Sequence, residues 1–282
     1  MLPSSGAEGV SRQNAGGGSV WTDQGGAQNR RYRVGMRPAW TDRCRAQNIA
    51  PRVPRRLPVR LSASRCSTVS NDRGVVIETR RAGVDDLGRA SQVLGEAFAS
   101  YPWTRWTVDP DDHQERITRL QLLALENLGM AFGEVWLRSV DSTIESVAVW
   151  MDSAVAVPSS VHHAMEATVA QLEGCRHDAS LAAARELEGW RPVQRHFTLA
   201  VLGTVPARQR EGLAGRALIP GVASADREGA GSFLETSSES NLAFYSTFAF
   251  EVIGHRRIGG GGPDVWAMFR KPAFGSSSSH TV

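Results

Sequence analysis

The residues best equipped for chemistry lie between positions 196 and 254. An apolar run, "HFTLAVLGTV" at 196–205, leads directly into "PARQREGLAGRAL" at 206–218. If the run is a strand and a helix follows, the turn between them leaves several backbone N–H groups without partners. Those donors, with the positive end of the helix dipole, form a site for an anion such as a pyrophosphate. Gly212, Ala214 and Gly215 would admit such a group without presenting a side chain larger than methyl. The same residues also fit an ordinary strand-to-helix turn built from small residues. Further on, "SFLETSSESNLAFYSTFAFEVIG" at 232–254 sets Asn241 and Tyr245 four apart, on one face of a predicted helix. Tyr245 fits a half-buried core aromatic as well.

The elements that must hold these groups are readable from periodicity. Val75, Ile77 and Thr79 alternate with Val76, Glu78 and Arg80 and predict a first strand. Asp85 opens a helix carrying Leu87, Ala90, Leu94, Ala97 and Phe98 at helical spacing. A second amphipathic helix follows "VDPDD", with Ile117, Leu120, Leu123, Ala124 and Leu128 on one face. "EVWLRSVDSTIESVAVWM" predicts a hairpin turning at Asp141 and Ser142. One or two helices occupy 158–190, opened by Pro158 and ended near Gly174 and Gly189. The last third predicts strand 196–205, helix 212–228, strand 232–236, helix 241–248 and two strands around "GGGG" at 259–262. Hairpins bracket the alternating units, so the expected class is α/β with a mixed, mostly antiparallel sheet flanked by helices.

Composition narrows the function classes. The 282 residues are 41% hydrophobic and 22% charged, enough for a sizeable core. Residues 1–70 carry a net charge of +9 and the remainder −6. Rich in Gly, Ser, Pro, Gln and Arg, residues 1–70 are expected to be a disordered tail, or sequence upstream of the true translation start. The mildly acidic remainder suits a cationic substrate and argues against a nucleic-acid-binding fold. No stretch approaches the roughly 20 apolar residues of a membrane span, and cytoplasmic location is expected. Cys44, Cys66 and Cys175 are widely spaced, without a pattern for a disulfide framework or a zinc site.

"PARQREGLAGRAL" followed by "LETSSESNLAFYSTFAFEVIG" resembles the acetyl-CoA-binding half of the GNAT N-acetyltransferases. The family pattern (Q/R)-x-x-G-x-(G/A) is matched by Gln209, Gly212 and Ala214. The resemblance spans about 75–273, including the closing "VWAMFRKP", with 274–282 a flexible end. "AFASYPWTRWTVDPDDHQERITRLQ" resembles the puromycin-acetylating members of the family. The resemblance implies the GNAT fold, acetyl-CoA as cosubstrate, no metal, and direct transfer to a primary amine. Puromycin or a similar aminonucleoside is the expected acceptor, and no nucleic acid or membrane partner is expected of a monomer or homodimer. It implies that Leu202, Gly203, Thr204 and Val205 pair with the pantetheine arm. Gln209, Arg210, Glu211, Gly212, Leu213, Ala214 and Gly215 would cradle the pyrophosphate. Asn241 would steady the arm, and Tyr245 would be the general acid. For the base, Glu235 at the end of its strand is the first choice and His196 the second. Glu235 also fits a helix cap, and His196 a packed edge residue. Tyr101, Trp103 and Trp106 form an aromatic cluster placed either to contact the acceptor or to pack a helix end.

Two places depart from the family pattern. Arg210 and Glu211 stand where relatives often carry a glycine and a basic residue, and Glu211 would oppose a pyrophosphate unless it points to solvent. Ala249 stands where Phe-Gly-Phe is usual, costing on the order of 1 kcal/mol if φ is positive there. Two alternatives stand beside the enzyme of a small aminonucleoside. One is the same fold acting on another amine or a peptide; the other is a catalytically weak acetyl-CoA-binding regulatory protein.

Overall fold

The computed structural model describes residues 67–70 and 76–273. The composition-based tail therefore lies mostly outside the described residues, as do Cys44, Cys66 and 274–282. Its last four residues do not behave as expected. Ser67–Ser70 is a strand, β1, and pairs antiparallel with β2, Val76–Arg81. A four-residue stretch with two β-branched positions is short enough to escape a compositional reading.

The remaining strands are β3 (Gly133–Val140), β4 (Thr143–Asp152), β5 (His196–Thr204), β6 (Gly231–Thr236), β7 (Glu251–Arg257) and β8 (Asp264–Arg270). They form one eight-stranded sheet in the order β1-β2-β3-β4-β5-β6-β8-β7. Every pairing is antiparallel except β5 with β6. The expected mixed, mostly antiparallel class is the observed one. Asp141 and Ser142 both adopt positive φ, 47° and 66°, as the tight β3–β4 turn requires.

Among the described residues, eight helices cover the sheet. They are α1 (Leu87–Phe98), α2 (Pro102–Thr107), α3 (His113–Ala124), α4 (Met130–Phe132), α5 (Ser159–Glu173), α6 (His177–Leu187), α7 (Leu213–Arg227) and α8 (Ser240–Ser246). The periodicity did not announce α2, whose six residues begin with a proline at the first helical position. A π turn, Leu125–Gly129, joins α3 to α4.

The two faces of β4 sort the core. Ala148 and Trp150 pack toward α7 and α8 with Leu218, Leu234 and Met268. Val147 and Val149 pack toward α1 with Val93, Leu94 and Leu137. In β5 this alternation changes phase. Phe197 and Leu199 belong to the α7 side, yet Val201 belongs to the α1 side. The cause is a bulge: Val149 pairs with Val201 and Trp150 with Leu199, leaving Ala200 as the extra residue. One inserted residue reverses the facing of everything after it.

Candidate active site

The bulge lies where the sheet opens. β5 and β6 are paired at His196 with Gly231, Phe197 with Ser232 and Thr198 with Phe233, and at no later position. Beyond them β5 runs on to Thr204 and β6 to Thr236, diverging. The gap is part of a cavity of about 920 Å³ whose walls include residues 198–204, Glu235, Asn241 and Tyr245. An edge of β5 therefore presents backbone donors and acceptors that an extended, amide-bearing ligand could satisfy as a strand would.

At the end of β5 the chain makes the turn anticipated from sequence. A short 3-10 turn, Pro206–Arg208, precedes Gly212, which caps α7 with φ 78°. A side chain at 212 would find open space, so its positive φ rather than crowding asks for glycine. The first i→i−4 bond of α7 runs from Arg216 N to Gly212 O at 3.3 Å, so the N–H groups just ahead of it precede the helical ladder. Gln209, Arg210, Gly212, Leu213 and Ala214 line the cavity at this end. The Gln209 amide also donates to Thr204 O at 3.3 Å, bracing the turn against the strand.

Two residues expected in this cradle, and one expected along the pantetheine arm, lie off the cavity wall. Val205, Glu211 and Gly215 are absent from the cavity wall. The Val205 N–H is spent on Glu145 O at 2.9 Å. Gly215 is buried, and a Cβ there would come 2.9 Å from the Phe248 ring. Its small size makes room for Phe248, in the turn after α8, against α7 rather than for a phosphate against the backbone. Glu211 is exposed and paired with Arg208 at 2.8 Å, which holds its carboxyl below the usual range. The repulsion expected from Glu211 is thus cancelled by its neighbour. Arg210 has φ 67° and Ala249 φ 63°, so both departures from the family pattern fall on left-handed backbone.

Tyr245 projects from α8 into the cavity wall and is 7% exposed. Burial, and then nearby Tyr101, push its phenol well above the ordinary range, so it holds its proton throughout neutral pH. Glu235, on the diverging end of β6, lines the same cavity; burial raises its carboxyl and Arg191 partly offsets this. His196 is a different case. It is 3% exposed, its Nδ1 lies 2.8 Å from Gln194 O, and its ring meets Phe233 edge-on. It lies outside the cavity, in the half of β5 still paired to β6. The packed-edge reading of His196 is the correct one, and the proton-acceptor reading is withdrawn.

The aromatic cluster divides in the same way. Trp103 lines the cavity and packs on Ala183, Leu187 and Val265. Tyr101 also lines it, but its hydroxyl is committed: Ser237 N donates to it at 2.6 Å, and it lies 2.9 Å from Thr236 Oγ1. Asn241 Nδ2 donates to the same Thr236 hydroxyl at 3.2 Å. These bonds tie α2, β6 and α8 together at the rim of the gap. Trp106 stands outside the cavity, its ring 5.5 Å from the Arg176 guanidinium carbon. It is a packing residue.

Sequence reasoning missed the far end of the cavity. Helices α3, α5 and α6 contribute Leu120, His162, Glu173 and Leu187 to its wall. No spacing marked them, because three separate helices converge there. Among the described residues no cluster of three or more metal-ligating side chains occurs, and no helix is long and apolar enough to cross a membrane.

No protein-family model matches the chain. Among solved structures, the chain is similar to "histone acetyltransferase HPA2 and related acetyltransferase" from Corynebacterium glutamicum, at 24% identity and TM-score 0.55. That likeness covers 70% of this chain and 97% of the other. It is also similar to the polyamine N-acetyltransferase of Drosophila melanogaster at 14% identity and TM-score 0.49, covering 69% and 99% of the two chains. The first likeness shows a shared fold: the described residues adopt the mixed α/β fold of GNAT-type acetyltransferases.

Proposed function

We propose that this protein is an acetyl-CoA-dependent N-acetyltransferase that acetylates the primary amine of a small molecule, with puromycin-like aminonucleosides the first acceptors to test. One observation carries the reading. The parting of β5 from β6 joins, in one cavity, a turn rich in free N–H groups, a buried tyrosine and a half-buried carboxylate. Acetyl-CoA would supply the thioester whose acetyl group is transferred. Residues 209–214, Glu211 aside, would hold its diphosphate through backbone N–H groups and the α7 dipole. The free edge of β5 would hold the pantetheine arm, and one of its N–H groups would polarise the thioester carbonyl.

Glu235 receives the proton of the acceptor ammonium, directly or through water, so that a neutral amine attacks. Its raised carboxyl is a stronger base than an ordinary carboxylate, which suits this task. As the C–N bond forms and the C–S bond breaks, Tyr245 gives its proton to the departing sulfur. Its phenol keeps its proton at neutral pH, and burial makes it a weaker acid than an ordinary tyrosine, so the transfer relies on the charge that develops on the departing sulfur. Trp103 offers a flat apolar wall for a planar acceptor ring.

The test follows free thiol release from acetyl-CoA with a panel of amines that includes puromycin. Turnover lost in Tyr245→Phe is expected. Tight acetyl-CoA binding without turnover on any amine would overturn the enzyme and leave a binding protein. That second reading draws its support from Arg210, a non-glycine residue on left-handed backbone within the cradle. Turnover confined to amines other than puromycin keeps the enzyme and removes the aminonucleoside.

A further inference from the structure

Glu173 is a buried carboxylate that the transfer steps leave unused. It ends α5, is 6% exposed, and lines the same cavity as Glu235 and Trp103. Its position is fixed from three sides. His177 Nδ1 lies 2.6 Å from Oε2, and Ser180 Oγ donates to Oε1 at 2.7 Å. The Glu173 carbonyl accepts from Asp109 N at 3.0 Å. The next residue, Gly174, has φ 59°, and a Cβ there would come 2.8 Å from the Asp109 carboxylate. Only glycine lets the chain turn so tightly at this point.

A carboxylate with two donors still has lone pairs to satisfy. The neighbouring helices give this part of the wall an apolar stretch, Leu120, Val169 and Leu187, beside the polar Gln121 and His162. Burial accordingly pushes the Glu173 carboxyl up, against the pull of Ser180 and His177. An ionisable group held this firmly, yet incompletely partnered, fits a ligand better than it fits a core.

Resting on the acetyl-transfer reading, we propose that Glu173 is an acceptor-recognition residue. It receives a hydrogen-bond donor, a hydroxyl or an ammonium, that the acceptor carries at a distance from its reacting amine. The apolar wall accommodates the stem between the two groups, while the reacting amine lies toward Glu235.

Three amines of one length test this: pentylamine, aminopentanol and diaminopentane, with calorimetric binding to the protein loaded with coenzyme A and KM as readouts. The two amines with a second donor are expected to bind about tenfold tighter than pentylamine. Glu173→Gln keeps the shape and one acceptor oxygen but loses the charge. It should abolish the advantage of diaminopentane, keep part of that of aminopentanol, and leave pentylamine and acetyl-CoA affinity unchanged. Equal wild-type affinities for the three amines overturn the assignment without any variant. So does an equal loss for all three in Glu173→Gln, which would mark a structural role. A retained preference with no acetyl transfer to any amine would instead overturn the acetyl-transfer reading.

Discussion

Tyr245 and Glu235 face one cavity from different elements, and burial raises the pKa of both, with different consequences for the roles proposed for them. A raised phenol stays protonated and keeps a proton to give. A raised carboxyl, once ionised, takes a proton more readily. Tyr245→Phe is therefore expected to lower kcat about a hundredfold or more, the usual worth of a placed acid, with acetyl-CoA affinity nearly unchanged. The pH profile isolates Glu235. The base works when ionised, so activity falls as pH drops through a value above the ordinary carboxylate range. Glu235→Gln should remove that acidic limb along with most of the rate. A limb persisting in the variant at the same pH would place the base elsewhere.

Strand, turn and helix at 196–218 were legible because each has its own local signal: an apolar run, a Pro and Gly pair, then helical spacing. The Ala200 bulge had none, since nothing in "HFTLAVLGTV" marks the residue that β4 skips. Gly215 was misread for a related reason. Its neighbour is Phe248, thirty-three positions on in the turn after α8, and the sequence cannot announce so distant a contact. Gly215→Val should destabilise the protein by about 1–3 kcal/mol in a denaturant melt, through overpacking against that ring. Ala249→Gly works in the other direction. It relieves an L-residue at φ 63° and should stabilise by on the order of 1 kcal/mol, read as a higher Tm. No stabilisation would mean that the exposed turn relaxes at little cost.

At the scale of the molecule, the sheet, the cavity and every candidate site residue lie within 67–273. Removing residues 1–66 is accordingly expected to leave acetyl transfer unchanged, and a large loss of rate would tie that segment to the site. The fold class was readable because hairpins and alternating units are local patterns. The far end of the cavity was not, because α3, α5 and α6 bring Leu120, Glu173 and Leu187 together over more than sixty positions of chain. The same cavity runs from the turn before α7, through the gap in the sheet, to those helices. Its two ends belong to different elements, and Cys175, the cysteine within the described residues, does not line it. Both reactants of the proposed transfer can thus reside together, with no thiol among the described residues on the wall between them. The kinetic signature follows. Double-reciprocal plots with the two reactants varied should intersect rather than run parallel, and neither product should form until both partners are aboard.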